Sequence, residues 1–257
     1  MVPGARYKIT RRCLERRFFM TPDRPEVEQA LGYVLGVCLR EYGLQLHAAC
    51  FMANHYHLDV TDVRGNFPAF KCKLNSLIAK ALNALRGRFD AFWSADPPCD
   101  VELVSEDDVV DRMAYTLANP VAAELVRRST RWPGLTTAGW SFGESRCYDR
   151  PEFYFDPEND DMPEAAEITV VRPAVLAGLS DDEFEKLLLS KVAEREAEAG
   201  ETLRREHRRV LGESRILKQH WNKAPKSRED RFGLRPTVAA SNKWARVAAL
   251  QREDGSF

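Results

Sequence analysis

The side chains whose types and spacing stand out are His55, His57, Tyr115 and Asn119. On a strand, alternate side chains share a face. His55, His57, Asp59 and Thr61 therefore fall on one face of a single segment, and the apolar set Tyr56, Leu58 and Val60 falls on the other. Two neutral imidazoles side by side can bind a divalent ion, but they leave its shell incomplete and call for a further ligand. A lone pair of this kind has a plainer reading, as hydrogen-bonded histidines at a core edge, and it carries weight only beside other evidence. Only His47, His207 and His220 remain to extend it.

The second feature is a helical segment over residues 108–119. At about 100° per residue, Val109, Val110, Met113, Ala114 and Leu117 form one apolar stripe. Tyr115 falls on the opposite side, with Asn119 one turn further along at i+4. An isolated tyrosine is usually just packed and hydrogen-bonded, and an asparagine before Pro120 commonly ends a helix. Taken together, a phenol nucleophile and an amide oxygen on one helix face can reach a single metal site. A phenol attacks only once its proton is accepted, and the sequence identifies no base for that step.

The elements that must position these residues follow from pattern. Residues 7–10 read as a short strand. A helix follows, capped by Thr21 or Asp23, with Pro25 and Glu26 in its first turn and Gly43 at its end. Residues 44–52 read as a strand, Ala53-Asn54 as a hairpin turn, and residues 55–61 as the return strand. Phe67, Phe70, Leu74, Leu77, Ile78, Ala81, Leu82 and Leu85 keep helical spacing. A strand is expected within residues 92–104, then the tyrosine helix opening at Ser105, and a further helical turn from Pro120 to Val126. The order β-α-β-β-α-β-α predicts an α+β fold, a ferredoxin-like split βαβ domain with an antiparallel sheet.

Composition narrows the class. The chain has 257 residues, 44% hydrophobic and 30% charged, enough for a proper core without staples. None of the six cysteines forms a C-x-x-C pair, which argues against a zinc-cysteine site or a disulfide framework. No apolar run approaches the ~20 residues of a membrane span, and Met1 to Arg6 lacks the apolar stretch of a signal peptide. The expected location is cytoplasmic, with no membrane partner. The net charge of -1 hides local basic clusters, with Arg11, Arg12, Arg16 and Arg17 in the first segment as candidate DNA contacts. The expected organisation is a catalytic domain over residues 1–150, an acidic, Pro-rich linker over residues 151–172, and a basic, mostly helical extension over residues 173–257. Within the extension, Ser180 to Glu183 reads as a capping box, and His220-Trp221 offers an aromatic that could stack on a base.

Phe51-Met52-Ala53-Asn54-His55-Tyr56-His57-Leu58 resembles the His-hydrophobic-His motif of single-tyrosine HUH transposases. Tyr115-Thr116-Leu117-Ala118-Asn119-Pro120-Val121 resembles their nucleophile helix, and Arg131-Trp132-Pro133 resembles a signature of the REP-associated tyrosine transposase branch. The resemblance covers roughly residues 1–150. It implies an enzyme that needs Mg²⁺ or Mn²⁺ and cuts and rejoins single-stranded DNA carrying hairpins through a 5′-phosphotyrosine intermediate. It further implies that His55 and His57 hold the metal, with Asn119 as third ligand where many relatives have Gln, and that Tyr115 attacks. The working unit would be a monomer or a homodimer. The alternative is a domesticated transposase that binds DNA as a regulator without cutting it.

Overall fold

The computed structural model describes residues 2–156, 158, 162–226, 238–239 and 247. Strand β1 (Ala5–Arg12) leads to helix α1 (Pro25–Tyr42), the hairpin β2 (Leu44–Phe51) and β3 (His55–Asp62), then α2 (Phe67–Arg86), β4 (Cys99–Leu103) and α3 (Glu106–Ala122). The sheet order is β2-β3-β1-β4, all antiparallel, which is the expected split βαβ arrangement. A two-residue strand β7 (Val238–Ala239) adds to β4 in parallel. No helix among the described residues is long and apolar enough to cross a membrane.

Two cores follow from strand alternation. Tyr7, Ile9, Tyr56, Leu58 and Val60 turn to one face, where α1 and α2 cover them. The opposite face carries Ala48, Val101 and Leu103, which pack against Val109, Val110, Met113, Ala114 and Leu117 of α3. The expected helical turn beginning at Pro120 is instead the end of α3, with Pro120 inside the helix. Neither Thr21 nor Asp23 caps α1: the N-cap is Arg24, without a side-chain bond. Asp23 is taken by the buried Arg86 guanidinium, which donates to both its oxygens at 2.7 Å.

The expectation of a loosely structured linker over residues 151–172 is corrected. A hairpin of β5 (Ser145–Asp149) and β6 (Ala165–Thr169) lies on the far side of α1. Phe155, Met162, Ala166, Ile168 and Val170 enter the same core as β1, α1 and α2. Gly32 and Gly36, one turn apart on α1, permit the approach: a Cβ at Gly36 would stand 2.9 Å from the Glu167 carbonyl, and one at Gly32 would meet the Tyr148 ring. Among the described residues of this segment Glu152, Asp156, Glu158, Glu164 and Glu167 are exposed, and the scattered apolar residues supply the anchors.

The extension is also part of the fold. Helix α4 (Asp181–Arg205) opens with the expected capping box, Ser180 with Glu183, and lies along α3. Its Phe184, Leu188 and Val192 complete the core on that side. The short helix α5 (Glu213–Leu217) buries Ile216 against Cys50, Met52, Val121 and Trp132. Trp221 is spent on its own chain, against Phe19 and the guanidinium groups of Arg86 and Arg88. The part of the basic extension beyond Lys226 lies, apart from residues 238, 239 and 247, outside the described residues.

His47 links these parts. At the bulge in β2 between Leu46 and Ala48, its Nδ1 donates to the Val171 carbonyl (2.6 Å) and its Nε2 accepts from Thr61 Oγ1 (2.7 Å). So held, the ring is neutral, and burial pushes its pKa from 6.5 down to about 4. As pH falls the unfolded chain takes up this proton first. The His47 contribution is therefore whole above pH 6.5 and is lost on the way down to about pH 4, on the order of 3 kcal/mol in all. Urea midpoints measured across that interval should fall, and His47→Gln should flatten the slope. Phe184→Ala should cost about 3–5 kcal/mol in the same assay, because it opens a cavity beneath α3. A loss below about 1 kcal/mol would mean that α4 is not part of the cooperative fold.

Candidate active site

The site begins with strand pairing. β1 and β3 pair so that Arg12 faces His55, Thr10 faces His57 and Lys8 faces Asp59. Directly opposed residues share a face, so Lys8, Thr10 and Arg12 line the histidine face. The turn before His55 is held from two sides. Asn54 Nδ2 donates to the Arg16 carbonyl at 3.1 Å, and the buried Trp132 donates from Nε1 to the Phe51 carbonyl at 2.9 Å.

The histidine rings stand 4.9 Å apart at 83°. Because the Asn54 amide nitrogen is used on Arg16, its oxygen must accept from His55 Nδ1, at 2.7 Å. That bond leaves the His55 lone pair on Nε2. His57 Nδ1 meets Thr10 Oγ1 at 2.8 Å. Its Nε2 is buried with no hydrogen-bond partner among the described residues. Burial, then the nearby Lys8, His55 and Arg12, hold the His57 pKa well below its usual value, so the ring is neutral. A neutral ring with an orphaned nitrogen beside a second imidazole is a donor set that suits a divalent ion. It is not a complete one: among the described residues, no group of three or more His, Cys, Asp or Glu side chains could hold a metal. A third protein ligand would have to be of another type; Asn119 is buried one turn beyond Tyr115 on α3.

Tyr115 does not point away from the protein. Helix α3 is pressed between the sheet and α4, and Tyr115 lies at the seam. Its ring is edge-on to His57, with centroids 5.6 Å apart, while 37% of the residue stays exposed. As its position off the apolar stripe implies, Tyr115 stays outside the core that Val109, Val110, Met113, Ala114 and Leu117 form with α4. Two cations flank the phenol ring: Lys8 Nζ at 4.8 Å and the Arg195 guanidinium at 5.9 Å from its centre.

Beneath the ring lies a buried polar cluster. Lys8 Nζ donates to Thr116 Oγ1 and to the Arg112 carbonyl (3.4 Å), and stands 3.9 Å from Asp59. Burial pushes the Asp59 carboxyl up and the Lys8 amine down.

Of the four arginines expected to meet DNA, the structure brings Arg12 to the histidine face, where it is exposed. Arg11 turns to the opposite face, and its guanidinium donates to the carbonyls of Ser94 (3.1 Å) and Asp96. Arg16 ends the short turn after β1 and lends its carbonyl to Asn54. Arg17 binds Glu15 and Asn222. Sequence reasoning missed Lys8, Thr10, Asn54 and Arg195. The alternation Lys8, Thr10, Arg12 on the first strand was the available signal for two of these; Arg195 had none.

No model of a known protein family matches the sequence, and no curated protein matches it. Solved structures similar to this chain include the following two. One is a REP-associated tyrosine transposase bound to a REP hairpin, at 17% identity and TM-score 0.45, covering 53% of this chain and 78% of that one. The other is a candidate transposase from Deinococcus radiodurans, at 18% identity and TM-score 0.33, covering 39% of this chain and 80% of that one. At these values neither likeness assigns a role to any residue.

The Lys8–Asp59 pair makes a test of how the site floor is held. Lys8→Met leaves a buried carboxylate without its cation and should cost about 3–5 kcal/mol. Lys8→Met combined with Asp59→Leu should recover most of that loss. Denaturant unfolding of the two single variants and the double variant checks it; additive losses would mean that the groups do not act as a pair.

Proposed function

We propose that this chain is a metal-dependent tyrosine nuclease and strand transferase, a transposase acting on single-stranded DNA. The observation that carries the reading is Tyr115, part-exposed, edge-on to the buried neutral His57 and flanked by Lys8 and Arg195. The motif resemblance around His55, His57 and Tyr115 points to strands carrying hairpins as the substrate. Mg²⁺ or Mn²⁺ held by His55 and His57, with Asn119 as the third protein ligand, would supply Lewis acidity at the scissile phosphate.

The chain's own groups supply the rest. Tyr115 Oη forms a bond to phosphorus while the P–O3′ bond breaks. The phenolic proton leaves to an acceptor, and the 3′ oxygen ends as a hydroxyl. The phosphodiester becomes a 5′-phosphotyrosine, so the number of phosphoester bonds is unchanged and rejoining needs no nucleotide cofactor. Thr10 and Asn54 keep the imidazoles turned for binding. Lys8 and Arg195 place positive charge where the phosphate would lie.

Incubation with single-stranded hairpin DNA and Mn²⁺ should leave a covalent protein–DNA adduct on a denaturing gel. Tyr115→Phe should fold normally and lower adduct yield by about a thousandfold or more. His55→Ala, His57→Ala and excess chelator should each abolish cleavage while hairpin binding persists, since binding rests on phosphate contacts and stacking. An adduct of equal yield in Tyr115→Phe, or cleavage that survives the chelator, overturns the assignment.

A further inference from the structure

Helices α3 and α4 run parallel and in step. Glu106 accepts from the Leu176 amide at 3.0 Å just before α4, and Asp111 accepts from Lys191 at 2.7 Å. One turn on, Tyr115 meets Arg195, and past the helix ends Glu124 meets Arg208. Three of these rungs join an acidic side chain to a donor. The rung at Arg195 has a phenol ring in place of a carboxylate.

Arg195 is half-buried, and no hydrogen bond or ion pair to its guanidinium is found among the described residues. Glu198, one turn away on the same helix, lines the same groove without bridging to it. The guanidinium beside the Tyr115 ring is thus left without an anionic partner among the described residues, its fork of donors unused. Beside it an open groove of about 270 Å³ runs between Tyr115, Ala118 and Ala122 on one wall and Arg195, Ala199 and Thr202 on the other, with Glu124, which is paired with Arg208, also lining it. The small side chains leave room for a bound chain, and the guanidinium presents a planar fork of donors that matches a phosphate.

We propose that Arg195 is the phosphate-binding residue at Tyr115, so that α4, outside the motif-bearing region, forms one wall of the active site. This rests on the transposase reading for the identity of the phosphate, the one that becomes joined to Tyr115, but the anion site is testable by itself. The probe is a fluorescent oligothymidylate of about eight nucleotides, with either a 5′-phosphate or a 5′-hydroxyl. Anisotropy is read in chelator, so that no metal bridges the phosphate to the histidines. The wild-type chain should prefer the phosphorylated strand by about tenfold. Arg195→Gln should erase the preference and Arg195→Lys should retain part of it, both with unchanged melting temperature. A preference absent in the wild type, or equal in Arg195→Gln, overturns the inference. Adduct formation with hairpin DNA is measured in parallel. A wild type that shows the Arg195-dependent preference but forms no adduct upholds the anion site and sinks the nuclease reading. An adduct whose yield does not depend on Arg195 sinks the phosphate role and upholds the nuclease reading.

Discussion

The antiparallel pairing of β1 with β3 places Thr10 opposite His57 and Lys8 opposite Asp59, and the site depends on that register. A slip of one residue would turn every side chain of the strand to the other face. The histidines would then lie under α1 and α2, and Tyr56, Leu58 and Val60 would lose their core. The apolar residues that hold the register are thus interleaved with the polar residues that form the site.

Helix α3 carries the second constraint. It must bury Val110, Met113 and Leu117 and still bring Tyr115 to the histidine end of the sheet. One apolar stripe would not hold a helix at a fixed rotation. The second contact, with α4, does so, and the Asp111–Lys191 pair joins the two helices at their surface. The aromatic seam between His57 and Tyr115 follows from this double packing. The polar cluster below it fixes α3 from the sheet side, since Lys8 reaches both Thr116 and the Arg112 carbonyl.

This arrangement makes the C-terminal part of the chain a structural partner of the site. Phe155, Met162 and β6 pack on α1, and α4 and α5 close over α3 and the end of β2. A charged helix such as α4 buries only a narrow line, Phe184, Leu188, Val192 and Leu203, and the first three of these suffice to join the apolar residues of α3 in one core.

The order of elements from residues 5 to 122, the hairpin turn at Ala53-Asn54, the shared face of His55 and His57 and the capping box at Ser180 were all determined by the sequence alone. Each depends on short-range rules: alternation on strands, helical spacing, and turn and cap chemistry. What tertiary structure decided is long-range. The neutral state of His57 comes from burial and then from the nearby Lys8, His55 and Arg12, and its ring is held through Nδ1 by Thr10, 47 residues away in the chain. The seam position of Tyr115 and the meeting with Arg195 come from α4, which a local pattern reads only as a solvated charged helix. Periodicity says which side of a helix is apolar, but not how many neighbours will cover it, because each neighbour is supplied by a distant segment whose own face is equally silent about its partner.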